Sequence, residues 1–175
     1  MPTATFQINL QTNRVPSLDP PSPFQIWVDA DACPHEIKTI LFRSAQKRRV
    51  RTILVANQKL RIPDSPYLSM LTVRHGMDVA DQTIADSMET GDLVITADIP
   101  LAARVVAQGG LAIGPRGELF DENQVQARLA SRNLMDHLRN SGMETSGPKP
   151  ISGKDIQAFA NQLDRILTKR QAKSS

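Results

Sequence analysis

Cysteine is nearly absent from this 175-residue chain: the single Cys33 permits no internal disulfide and suits a reducing, cytoplasmic setting. Histidine is sparse too. His35, His75 and His137 are scattered, so no His/Cys set stands at zinc-ligand spacing, and each is expected on the surface or in packing. No apolar run approaches the roughly 18 residues that a membrane-spanning helix needs. The leading stretch MPTATFQINLQTNRVPSLDPPSP lacks the basic-then-apolar order of a secretion signal. A soluble, unexported protein with no membrane partner is expected. Aromatics amount to 4% of residues, which leaves few platforms for stacking nucleobases. Trp27 sits within an apolar run, so Tyr67 is the one plausible stacker. A net charge of +3 excludes a general polycation, although Arg43 to Arg51 (RSAQKRRVR) is densely basic and Lys59, Arg61 and Arg116 follow in later loops. A basic rim beside an acidic centre is therefore expected.

What is present suits one compact domain: 40% hydrophobic residues over this length bury a continuous core without disulfides. Residues 1–23 are rich in Pro, Ser, Thr and Gln and read as a disordered leader. Residues 24–169 read as the domain and 170–175 as a flexible tail. Within the domain, strands at FQIWV (24–28), RTILVA (51–56), LTVRH (71–75), LVIT (93–96) and LAIG (111–114) alternate with helices. Pro34 and Pro100 suit first helical turns, and Asp78 with Asp81 resembles a capping box. Two more helices, near 122–139 and 152–169, flank a loose stretch, NSGMETSGPKPISG; Ser152 and Asp155 stand at capping spacing. This order predicts a three-layer α/β/α domain with a central, mainly parallel five-stranded sheet.

In such sheets ligands bind beyond the carboxyl ends of the strands. Asp29 and Asp31 follow the first strand, Asp78 and Asp81 the third, and Asp98 the fourth, so the carboxylates should converge on one edge. Asp92 precedes its strand and belongs to the opposite edge. Aspartate is also a preferred helix N-cap, and that bland role competes most strongly at Asp78. If Pro34 and Pro100 are first helical residues, Asp29, Asp31 and Asp98 fall off the cap register. Asp81 suits either a reciprocal cap or a ligand, and Asp86 a solvated surface. Clustered carboxylates suit a hard divalent cation, Mg²⁺ or Mn²⁺, and metal-assisted hydrolysis of a phosphodiester. Cys33, beside Pro34, reads as a small buried residue rather than a nucleophile. Asn57, Lys59, Arg61 and Arg116, in loops flanking that edge, are candidates for holding substrate phosphates.

The runs WVDADACP, HGMDVADQTIADSM, GDLVITADIPLAARVVAQGG and GPRGELF, with a late GPKPIS and FANQLD, resemble the YaiI/YqxD-type bacterial family, itself similar to the PIN-like nucleases. The resemblance spans about Phe24 to Leu167. It implies strand order 3-2-1-4-5 and a Mg²⁺ or Mn²⁺ site cutting RNA, and single-stranded RNA is the expected partner. On that basis Asp29, Asp31 and Asp98 would be catalytic, and Asp29, Asp78, Asp81 and Asp98 would hold metal, with Asp31 an extra carboxylate of the DADACP run. PIN-like nucleases usually carry more acids just after the fourth-strand aspartate, whereas Ile99 and Pro100 follow Asp98; one metal or two stays open. Two alternatives remain: a non-catalytic, metal-dependent RNA-binding module on the same fold, and an aspartate-nucleophile phosphatase using Asp29 and Asp31.

Overall fold

The computed structural model describes residues 23–143 and 149–173, so the expected leader lies almost wholly outside the described residues. Strands β1 (Ile26–Asp29), β2 (Thr52–Ala56), β3 (Leu68–Thr72), β4 (Leu93–Ile95) and β5 (Leu111–Ile113) are all parallel to one another. A sixth strand, β6 (Leu119–Phe120), turns back antiparallel beside β5, giving the order β3-β2-β1-β4-β5-β6. The expected α/β/α architecture and strand order are present, with six strands rather than five. Gly114 and Gly117 make the added hairpin possible. The Gly117 backbone has φ +87°, and a Cβ there would meet the backbone of Ala158 at 2.7 Å.

Helices α1 (His35–Arg48) and α5 (Gly153–Lys173) cover one sheet face; α2 (Val79–Ser87), α3 (Ile99–Ala107) and α4 (Glu122–Asn140) cover the other. The period-two alternation of the strands decides which residues meet which layer. Ile26 and Val28 pack toward Leu41, Phe159 and Leu163, whereas Trp27 packs with Ile53, Val94, Ile84 and Leu101. Asp29, two residues after Trp27, therefore belongs to the α2–α3 side.

Several boundaries differ from expectation. β3 begins at Leu68 rather than Leu71, because pairing starts where the Thr52 N–H meets the Tyr67 carbonyl. Pro34 is the N-cap of α1, with ψ at 148°, and not its first helical residue. α5 continues through Lys173, past the expected tail boundary, and Arg170 lies 4.8 Å from the centre of the Phe24 ring. The reciprocal bonds between Ser152 and Asp155 form as expected at its start.

Asp92 locks the edge of the sheet away from the candidate site. Its buried carboxylate accepts the N–H groups of Gln25, Trp27 (indole) and Glu89 at 2.9–3.0 Å. Asp92→Ala would strand these donors, and a loss of about 3 kcal/mol or more is expected in denaturant unfolding. A loss under about 1 kcal/mol would show that these bonds contribute little.

Candidate functional site

The parallel register builds the acidic edge. Val28 pairs with Ile95, so Asp29 and Thr96, the next residues, meet side by side where β1 and β4 end. The Thr96 hydroxyl donates to Asp29 Oδ2 at 3.1 Å and accepts the Asp98 N–H at 3.0 Å. One buried hydroxyl thus joins the two aspartates. Sequence reasoning passed over Thr96, whose only signal was its place between a strand and Asp98.

Asp98 is the N-cap of α3: its Oδ1 accepts the Leu101 N–H at 2.9 Å. This corrects the expectation that Asp98 lies off the cap register. Pro100 sits at the second helical position, so the helix opens one residue earlier than a proline at the first position would place it. Asp78 shows the reverse. It precedes α2 but makes no side-chain cap bond, and its backbone takes the left-handed region at φ 61°. The expected capping box with Asp81 does not form. Asp81, half-buried on the first turn of α2, instead lies within hydrogen-bonding reach of Asp98.

These placements set the electrostatics. Burial, followed by the negative charges of Asp98, Asp29 and Asp78, pushes Asp81 up to about 6. Asp29, only 8% exposed, is also raised, chiefly by burial; the Thr96 bond works against this, and Asp98 and Asp31 add to it. Asp31 is exposed at the rim, where its Oδ2 accepts the Asn57 N–H at 2.7 Å and fixes the start of the β2–β3 loop. Cys33 is buried, its thiol pushed up to about 12 chiefly by that burial, which suits a packing residue.

The other candidates are dispersed. Lys59 and Arg61 are exposed in the loop that leaves the acidic edge after β2. The Arg116 guanidinium is taken up by Asp155 and the Lys149 carbonyl, tying the β5–β6 turn to the start of α5. The expected basic rim is only partly present: Arg43 to Arg51 runs from the second half of α1 to the start of β2, at the opposite edge. Among the described residues, no three His, Cys, Asp or Glu side chains are arranged to hold one metal ion between them. Asp81 and Asp98 form the close pair, with Asp29 joined to Asp98 through Thr96.

Known proteins place the chain. Residues 27–169 match the family described as an uncharacterized BCR, YaiI/YqxD family. The chain belongs to the YaiI/YqxD family. A UPF0178 protein of Shewanella amazonensis is 54% identical over 145 residues, covering 83% of this chain and 97% of that relative. One from Thioalkalivibrio sulfidiphilus is 56% identical over 146 residues, covering 83% and 99%, and one from Dechloromonas aromatica is 54% identical over 145. No solved structure matches significantly. No helix among the described residues of this family member is long and apolar enough to cross a membrane.

The raised Asp81 generates a pH test. Its proton is held more tightly in the folded chain than at the ordinary value of 3.8, so its favourable contribution is full below 3.8 and is lost as pH rises through about 6. In metal-free buffer, Asp81→Asn should remove this decline and raise stability above that range by roughly 1 kcal/mol, allowing for solvent screening. Superimposable pH profiles of melting temperature for wild type and variant would contradict the coupling.

Proposed function

We propose that the acidic edge binds Mg²⁺ or Mn²⁺ and hydrolyses phosphodiester bonds of single-stranded RNA. The observation that carries the proposal is the convergence of Asp29, Asp81 and Asp98 on one edge, where the Thr96 hydroxyl links Asp29 to the Asp98 N–H, Asp98 caps α3, and the charge of Asp98 raises the proton affinity of both Asp29 and Asp81. A divalent cation would relieve that repulsion. The donor set is all oxygen, which fits these hard ions. Asp81 and Asp98 would be the first ligands, with Asp29 beside them across Thr96; Asp78, exposed and uncapped, is a further donor at the rim. When bound, such an ion neutralises charge on a phosphodiester and activates water. The chain's own contribution is to fix the carboxylates. Thr96 orients Asp29, the α3 cap holds Asp98, and Asp31 anchors the loop whose exposed Lys59 and Arg61 meet phosphates. The likeness to PIN-like nucleases points to RNA as substrate.

One observation favours a second proposal, a metal-dependent RNA-binding module without turnover: Ile99 and Pro100 follow Asp98 where PIN-like nucleases carry further acids. The phosphatase alternative gains no support, since α1 opens at His35 with no intervening hairpin and Asp31 is held by the Asn57 N–H.

Cleavage of labelled single-stranded RNA with Mn²⁺ or Mg²⁺ tests the proposal. Wild type should cut, and Asp29→Asn or Asp98→Asn should lose about two orders of magnitude of rate, equivalent to about 2.7 kcal/mol of lost charge stabilisation. Asp98→Asn is the cleaner variant, because asparagine still caps a helix while removing the charge. Metal-dependent retention of RNA without cleavage above the variants would favour the binding module and remove the hydrolase.

A further inference from the structure

Between Glu36 and Asp64 the chain holds eight of its 21 lysines and arginines and none of its 18 acids, so this stretch carries +8 while the remainder carries −5. The fold lays the segment out as one face. α1 ends in an exposed basic cluster at the sheet edge opposite the carboxylates, with Arg43, Lys47 and Arg49, and Arg51 follows just before β2. After β2 the chain leaves the acidic edge at Asn57, passes Lys59 and Arg61, and returns to the opposite edge, where the Tyr67 carbonyl accepts the Thr52 N–H. Leu60 and Ile62 pack into the α1–α5 core, so this loop crosses the sheet on the α1 side. The distance spanned is roughly 17 Å, the length of a five-residue strand. Arg48 stands apart from this face, paired with Asp164 and bonded to Thr168 and Gln171 of α5. Among the described residues that is the one ion pair the whole segment makes.

We propose that this face binds the phosphate backbone of single-stranded RNA and leads it from the opposite edge of the sheet to the carboxylates. The choice of RNA as the polyanion rests on the hydrolytic proposal; the charge and its layout do not. An anionic membrane surface is a poorer partner. The exposed large hydrophobic residues among those described are Met77, Leu119, Leu134 and Met143, none of them in this segment, and α1 buries its apolar stripe against the sheet. Interfacial helices need that stripe for the bilayer. Backbone binding by cations without many aromatics also matches the poverty of stacking residues.

Arg49 supplies a way to remove charge without harming the fold. Its backbone holds φ at 56°, a conformation that glycine adopts more readily, so Arg49→Gly should leave the melting temperature unchanged or raised. The experiment measures binding of a labelled single-stranded RNA in EDTA, where hydrolysis is silent, across a series of monovalent salt concentrations. Wild type should show a steep fall of affinity with salt. The variant Arg43→Gln/Lys47→Gln/Arg49→Gly should show a slope of log K against log salt shallower by about 2, roughly 0.7 for each lost cation. A melting temperature no lower than wild type excludes unfolding as the cause. Wild-type RNA binding with this slope but no cleavage in metal would uphold the face and remove only the hydrolytic proposal. Equal slopes for wild type and variant, or binding to anionic vesicles with none to RNA, would overturn the face.

Discussion

Repulsion among Asp29, Asp81 and Asp98 is the constraint from which the site follows. Parallel pairing of β1 with β4 brings Asp29 beside Thr96, and the turn after Thr96 delivers Asp98 to the mouth of α3. α2, packed on the same face, adds Asp81 to the pair. None of these positions is adjustable alone, since each is a strand end or a helix start in a packed three-layer domain. The carboxylates are therefore held near one another whatever the electrostatic cost, and at Asp29 and Asp81 burial and the neighbouring charges together raise the proton affinity.

Two buried aspartates in this molecule make the contrast clear. Asp92 at one sheet edge takes three N–H donors and works as a structural clasp. Asp29 at the other edge has one hydroxyl partner and faces acidic neighbours. A carboxylate saturated with donors stabilises a fold, whereas one short of donors and crowded by like charge calls for a proton or a cation. The same division of labour separates Arg48, which pins α1 to α5, from the exposed cations beside it.

Much of this was legible in the sequence, because the informative patterns were local. Continuous apolar runs marked β1, β2, β4 and β5, and alternation with helices dictated a parallel sheet whose strand ends share an edge. The two-residue β6 was not legible: it is specified by the Gly114–Gly117 turn folding back on β5 and carries too few residues for a pattern. β3 was displaced because LTVRH has the stronger strand propensity, while pairing with β2 selects LSMLT. Thr96 was missed because its partner is 67 residues away, and only the register brings them together. The cap roles of Asp78 and Asp98 were exchanged for a similar reason, since capping depends on the backbone angles at the helix mouth and not on spacing alone.

Thermal melting of wild type and Asp81→Asn across a Mn²⁺ titration above pH 7 addresses the central claim before any substrate is known. Relief of carboxylate repulsion by a bound cation predicts a melting temperature that climbs with Mn²⁺ in the wild type, following mass action, and a much smaller climb in the variant. A wild-type melting temperature indifferent to Mn²⁺, or an identical rise in both proteins, would contradict it.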